Sequence, residues 1–163
     1  MKKMKLFMGI VAASLALAGC SAKYSAGEIM QSPALSGKAT QAGKLKGQAT
    51  ALKVEQRGEK LLVSFPELKN HMGKDLSPSP CESEFSYKGS YENSADGTKA
   101  AVYFGSWPSA NNNCALYVER RSAHYSNEAS PRYVILEKTS EEVQFLMSWD
   151  SLGREPIVRG LLR

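Results

Sequence analysis

The chain is poor in the side chains that most catalytic and metal sites require. Its 163 residues include two histidines and three cysteines. The histidines, His71 and His124, lie far from each other and from the cysteines, so they lack the ligand spacing of a metal site. No serine stands in a Gly-x-Ser-x-Gly elbow, and no glycine-rich phosphate-binding loop occurs. The sequence therefore predicts no catalytic residues, no metal site and no cofactor.

A dense basic cluster is also missing once the N-terminal region is set aside. The whole chain has 21 basic and 16 acidic side chains. Residues 1–19 hold three of the lysines and no acidic residue, so the remainder has 18 basic and 16 acidic side chains. Nucleic-acid binding depends on a clustered basic face, and the pair Arg120-Arg121 is too small to form one. We therefore expect no nucleic-acid partner.

The N-terminus carries the most informative pattern of the sequence. Three lysines within the first five residues precede an apolar segment, Leu6–Leu17, which ends in Leu17-Ala18-Gly19-Cys20. A basic start, a short apolar middle and small residues at the end are typical of a secretory signal peptide. The apolar segment is too short to remain in a bilayer as a spanning helix. We therefore predict a signal peptide over residues 1–19.

The ending Leu17-Ala18-Gly19-Cys20 resembles the lipobox of bacterial lipoproteins. In that family the cysteine carries diacylglycerol on its thiol and a further acyl chain, such as palmitate, on the new N-terminus. The resemblance implies that Cys20 is the first residue of the mature protein and anchors it permanently. A single acyl chain binds a membrane only weakly, whereas several acyl chains on one residue bind it stably. Ser21 in place of aspartate favours sorting to the outer membrane, by resemblance to enterobacterial-type lipoproteins. The periplasmic face of that membrane is the expected location. The alternative is an ordinary signal peptide followed by a chance cysteine.

The other two cysteines, Cys81 and Cys114, predict a disulfide. Secretion places them in an oxidising compartment, where a remaining pair usually forms a bridge. The closed loop has about 34 residues, for which the chain-entropy model gives roughly 3.8 kcal/mol of stabilisation.

Residues 20–47 are expected to form the lipidated cysteine and a flexible tether. From Ser21 to Gly47 the chain is rich in Ser, Ala and Gly, and such a composition buries too little apolar surface to offset its ordering entropy. The alternative is a short helix around Ala26–Leu35, interrupted at Pro33. The folded β domain is then expected over residues 48–163.

Apolar and polar residues alternate with period two through most of residues 48–163, which is typical of half-buried strands. A hairpin is predicted to turn at Arg57-Gly58, and Ser83–Glu92 is expected to place Phe85, Tyr87, Gly89 and Tyr91 on one face. Further strands are predicted over Thr98–Trp107, Cys114–Ser122, Arg132–Thr139, Glu142–Trp149 and Pro156–Leu162, with a polar loop over Ala123–Pro131.

About eight strands at short spacing predict an all-β fold with a mostly antiparallel sheet, because the long crossovers of parallel pairing are absent. A small up-and-down barrel is the first choice, since closure removes exposed edges. A two-sheet sandwich is the alternative.

Two loops are candidate binding regions. A tryptophan beside three asparagines offers an aromatic surface with amide donors and acceptors, and a bridge from Cys81 to Cys114 would hold this loop beside a proline-rich one. The candidate residues are Pro78, Pro80, Trp107, Asn111, Asn112 and Asn113. The alternative is that Trp107 belongs to the core and the asparagines form a turn.

These features favour a membrane-anchored lipoprotein of the cell envelope that acts as a non-enzymatic binding or accessory module for a protein or envelope component. One alternative is an inhibitor of a wall-degrading enzyme of the lysozyme type, which an inhibition assay would distinguish. A further alternative is an envelope enzyme of unknown type, for which a pocket with shifted pKa values is expected.

Overall fold

Eight antiparallel strands close into a β-barrel in the computed structural model, which describes residues 24–41, 49–66, 81–107, 114, 116–119, 126–129 and 131–163. A short helix, α1 (Ala26–Met30), precedes them. The strands are β1 (Ala34–Gln41), β2 (Ala49–Arg57), β3 (Lys60–Phe65), β4 (Cys81–Glu92), β5 (Lys99–Gly105), β6 (Leu116–Glu119), β7 (Ser126–Ala129), β8 (Tyr133–Lys138), β9 (Val143–Ser148) and β10 (Pro156–Leu162).

Each barrel strand pairs with the next one along the chain, apart from one excursion. The order around the barrel is β1, β2, β3, β4, β5, β8, β9 and β10, and β10 pairs with β1 to close it. The closing register runs from Gly37 opposite Leu162 to Gln41 opposite Val158. The strands β6 and β7 form a separate hairpin between β5 and β8. The predicted up-and-down barrel is therefore confirmed, and the sandwich alternative is wrong.

Most predicted strands lie where their alternation places them. The first hairpin turns at Gly58, which adopts the left-handed φ of 62° that glycine favours in such turns. The interpretation of Ala123–Pro131 as loop is wrong in part, because β7 occupies residues 126–129.

The expected tether is wrong for residues 24–41. Residues 26–30 form α1, and a capping box between Ser25 and Glu28 stabilises the N-terminus of this helix. Residues 34–41 form β1, the strand that closes the barrel by pairing with β10. The alternative of a short helix in this region is correct for α1, although the helix ends before Pro33. The folded domain therefore includes residues 24–41 and does not start as late as residue 48. Residues 20–23 and 42–48 lie outside the described part of the chain.

The inward-facing side chains of the barrel strands form a single hydrophobic core. Phe65 and Phe145 meet edge to face with ring centroids 6.4 Å apart, and both are at most 1 % exposed. The core also contains Ala39, Leu52, Val54, Leu61, Val63, Phe85, Ala101, Tyr103, Val134, Leu136, Val143, Met147, Val158 and Leu162. The barrel interior is thus filled by side chains, as in small closed barrels in general.

A β-bulge in β4 reverses the alternation of that strand. Tyr87 pairs with Tyr103, but the next pairing joins Gly89 to Val102, so one extra residue is inserted. As a result Phe85 and Tyr87 belong to the inner core, whereas Tyr91 packs in a cluster on the outer surface. The expectation that Phe85, Tyr87, Gly89 and Tyr91 share a face is therefore wrong beyond Tyr87.

The two ends of the barrel differ. The proximal end, as we call it, carries α1 and the turns at residues 58–59, 93–98 and 139–142. The opposite, distal end carries the start of β4 and the end of β5, from which the β6–β7 hairpin extends. Strand β6 approaches β1 and β10, which lie on the other side of the barrel from β5. The hairpin therefore reaches across the distal end.

A buried hydrogen bond joins α1 to the barrel. The backbone N–H of Ala26 donates to the Tyr103 hydroxyl at 2.7 Å, and burial raises the pKa of this tyrosine. Tyr103→Phe is expected to destabilise the protein by about 1–3 kcal/mol, because the buried N–H of Ala26 loses its acceptor. Urea unfolding measures this, and amide exchange should accelerate in α1.

Tyr133→Phe is the matched control for this prediction. The Tyr133 hydroxyl makes no hydrogen bond to any residue that the structure describes, so its removal should change stability by less than about 0.5 kcal/mol. Equal effects of the two substitutions would contradict the role given to Tyr103.

Candidate functional site

Trp107 is a core residue and not part of an exposed recognition surface. Its side chain is 5 % exposed, and its Nε1–H donates to the carbonyl oxygen of Cys114 at 2.6 Å. The rings of Trp107 and Phe65 pack edge to face, with their centroids 5.2 Å apart. The prediction that Trp107 is an exposed binding residue is therefore wrong, and the alternative that it belongs to the core is correct. Pro78, Pro80 and Asn111–Asn113 lie outside the described residues.

The disulfide between Cys81 and Cys114 is confirmed, with a Cα–Cα distance of 5.5 Å. Cys81 is the first residue of β4 and stands opposite Phe65 of β3. Cys114 lies beyond β5 and is also buried. The bridge therefore fastens the start of the excursion between β5 and β8 to the distal rim of the barrel.

A groove of about 680 Å³ lies on the outer face of β1, β10 and β9. Outward-facing residues of the three strands form two cross-strand rows in it. In the first row Leu161 stands between Lys38 and Gln144, and in the second Arg159 stands between Thr40 and Leu146. Gly37 and Gly160 also line the groove, and Arg163 lies at its proximal end. We call this site the outer groove.

The described lining of the outer groove contains cations and no carboxylate. Arg163 forms an ion pair with Glu142, its Nη2 lying 3.3 Å from the Oε1 atom. Lys38 and Arg159 form no ion pair with any carboxylate of the described residues. Leu161 is opposite Lys38 and two residues from Arg159, and it is 40 % exposed. The groove thus presents positive charge around an accessible apolar side chain, which suits a ligand that is both anionic and partly apolar.

A second apolar cluster covers the neighbouring outer face of β5, β8 and β9. Its buried members are Ala100, Val102, Ile135 and Leu146, with Tyr91 and Tyr133 packed against them. Leu146 belongs to both this cluster and the outer groove. The loop between β9 and β10 folds over the cluster at Gly153, where a Cβ atom would come within 3.0 Å of Ile135 and Leu146. The floor of the groove is therefore held by packed side chains.

Hydrogen bonding also fixes the polar edge of this cluster. The Tyr91 hydroxyl donates to Glu137 Oε1 at 2.8 Å. Burial, together with this carboxylate, holds the pKa of Tyr91 well above its ordinary value. Tyr91 is therefore a neutral donor at any physiological pH.

The described residues contain no group of three His, Cys, Asp or Glu side chains arranged to hold a metal ion. Within the same residues, no helix has the length and apolar character needed to cross a bilayer.

Sequence reasoning missed the outer groove, because its cations come from opposite ends of the chain. Lys38 falls in the segment expected to be a tether, and Arg159 lies more than a hundred residues away. A partial signal was present in the C-terminal strand, where Arg159, Leu161 and Arg163 alternate on one face.

The chain matches no protein-family model, no curated protein and no solved structure.

Proposed function

We propose that this protein is a lipid-anchored protein of the bacterial cell envelope and that its barrel is a non-enzymatic binding or accessory module. The observation that carries the proposal is the Leu17-Ala18-Gly19-Cys20 motif at the end of a basic and apolar N-terminal segment. The described structure includes Tyr24, four residues after Cys20. An anchor on Cys20 would therefore hold the barrel close to the membrane.

Two features support binding at the outer surface of the barrel. The interior is filled by the side chains of the core, so it offers little space to a ligand. The outer groove, in contrast, combines an accessible leucine with cations that have no described carboxylate partner. This surface fits a binding role without requiring a reaction.

Cys20→Ala is expected to abolish incorporation of labelled palmitate and to prevent maturation at residue 20. The physical reason is that the thiol of Cys20 is the only group proposed to receive the diacylglycerol. Metabolic labelling followed by mass spectrometry of the N-terminus measures both effects.

Two control variants sharpen this experiment. Ser21→Ala leaves the motif intact, and Cys81→Ala combined with Cys114→Ala removes the other two cysteines. Both should keep the label. Palmitate incorporation that persists in Cys20→Ala would refute the proposed anchor.

Outer-membrane location is a separate part of the proposal, supported by serine rather than aspartate at position 21. Membranes separated by density should carry the wild-type protein in the outer-membrane fraction. Ser21→Asp should move it to the inner-membrane fraction in a bacterium with enterobacterial-type sorting. Wild-type protein in the inner-membrane fraction would contradict this assignment and leave the anchor itself unaffected.

A further inference from the structure

We infer that the outer groove binds the head group of an anionic phospholipid in the membrane to which the chain is anchored. The inference rests on the proposed function for its location, since the anchor on Cys20 brings the groove to the membrane. The groove itself is defined by residues of β1, β9 and β10 and does not depend on acylation.

The side chains of the groove match an anionic phospholipid in both charge and polarity. Arg159 can donate two parallel hydrogen bonds to a phosphate, which suits the fixed geometry of a guanidinium. Lys38 stands in the neighbouring row as a second cation. Leu161 and Leu146 supply apolar contact for the glycerol and the first part of the acyl chains. The volume of about 680 Å³ is within the usual range of small-molecule sites.

The position of the groove relative to the anchor favours a lipid of the same membrane. Tyr24 is fixed to the proximal end, because its N–H donates to Ser90 Oγ at 3.0 Å and its hydroxyl donates to Glu92 Oε2 at 2.6 Å. Four residues span at most about 14 Å when fully extended, so Cys20 cannot lie far from Tyr24. The anchor would therefore hold the proximal end against the membrane.

The outer groove begins at the same end of the barrel. Arg163 lies there, and its N–H donates to the carbonyl oxygen of Ser36 in β1 at 2.9 Å. The outer groove therefore reaches, at Arg163, the end of the barrel that the anchor would bring to the lipid head groups, while Tyr24 itself is held by β4 on the opposite side of the barrel. Each cation near an anionic membrane surface contributes about 1 kcal/mol of attraction, so Lys38 and Arg159, which have no described carboxylate partner, would together favour an anionic membrane over a neutral one.

Sedimentation with lipid vesicles tests the inference independently of acylation. The probe is the mature chain, residues 20–163, carrying Cys20→Ala, which retains every residue of the barrel. It should bind vesicles of phosphatidylcholine with phosphatidylglycerol and should bind phosphatidylcholine vesicles much more weakly. Adding Lys38→Gln and Arg159→Gln should lower the affinity roughly 25-fold, since each lost cation corresponds to about fivefold.

Lys88→Gln with Lys99→Gln is the matched control, because neither lysine forms an ion pair with a described carboxylate. It removes the same net charge from β4 and β5, which lie across the barrel from β10 and β1. This variant should lose far less affinity than the groove variant. Equal losses would mean that the surface as a whole attracts anionic lipid, and absence of a preference for phosphatidylglycerol would exclude a lipid site. Either result overturns the inference.

A second measurement covers the case in which the groove variant unfolds. Titration of the unsubstituted probe with a short-chain, soluble phosphatidylglycerol should shift the amide resonances of Gly37, Gln144 and Gly160 in the outer groove. Shifts confined to β3 and β4 would place the lipid elsewhere and contradict the inference. If the groove binds lipid but Cys20 carries no palmitate, lipid binding by the groove still holds and only the proposed anchor is refuted.

Discussion

Gly37→Ala is expected to destabilise the barrel by about 3 kcal/mol, the upper end of the usual range for overpacking. A Cβ atom at this position would overlap the carbonyl oxygen of Leu161 and lie 2.8 Å from its carbonyl carbon. Both atoms belong to the backbone of β10, so no side-chain rotation relieves the contact. The added methyl group therefore forces β1 and β10 apart where the barrel closes. Urea unfolding of the purified protein measures the loss.

Gly89→Ala is the matched control for this substitution. Gly89 lies in β4, and a Cβ atom there meets no heavy atom within 4 Å. The free energy of unfolding should change by less than about 0.5 kcal/mol, as at most open surface positions. If Gly37→Ala were as stable as Gly89→Ala, the close approach of β1 to β10 would not contribute to the closure of the barrel.

Removing the disulfide with Cys81→Ala and Cys114→Ala is expected to lower the free energy of unfolding by about 2–5 kcal/mol. The two cysteines are 33 positions apart in the sequence, and the chain-entropy model assigns roughly 3.8 kcal/mol to such a loop. Both side chains also pack in the core. The backbone of Cys114 accepts the hydrogen bond of Trp107, so this contact should loosen as well.

Urea unfolding measures the loss of stability, and tryptophan fluorescence in a Trp149→Phe background, where Trp107 is the only tryptophan, measures the loosened contact. Reduction of the wild-type protein with dithiothreitol should reproduce the loss of stability, and reduction of the double variant should change nothing further. A double variant within about 1 kcal/mol of the oxidised wild type would contradict the stabilisation expected from the bridge.

The sequence predicts the barrel strands well where one face is buried and the other is solvated. In β2, for example, Leu52 and Val54 lie in the core while Lys53 between them is exposed, and the following turn contains the glycine that its positive φ requires. Period-two alternation is a direct consequence of strand geometry. It indicates a strand without any knowledge of the strand's neighbours.

The bulge in β4 could not be predicted in the same way. The alternation of Phe85, Tyr87, Gly89 and Tyr91 continues through it without a break in the sequence. The extra residue depends on how β4 pairs with β5, and pairing is a property of two strands. The outer cluster around Tyr91 is therefore a tertiary feature.

The first strand was missed because its small residues are typical of disordered linkers. Gly37 is needed where β1 approaches the backbone of β10 closely, and Ala39 is 1 % exposed in the core. Composition alone does not distinguish residues that are small because space is limited from residues of a flexible linker. The sequence Ser25-Ala26-Gly27-Glu28, however, matches a capping box and was a usable signal for α1.

The candidate site was the least predictable part of the protein. Trp107 was expected at the surface and lies in the core, because its indole N–H finds a partner in the backbone of Cys114. Lys38 and Arg159 come together only through the pairing of β1 with β10. A site assembled from distant segments on one sheet face leaves no local motif in the sequence.

The pairing of β1 with β10 also has a consequence for the order of events during biosynthesis. A nascent chain that has not yet extended to residues 156–162 exposes β1 as a free edge, and free edges are open to pairing with other chains. The barrel can close only after β10 has been synthesised and, for an exported protein, translocated. Contacts between such distant segments also slow folding. We therefore expect a chain synthesised only as far as β9 to need protection by chaperones until β10 is available to pair with β1.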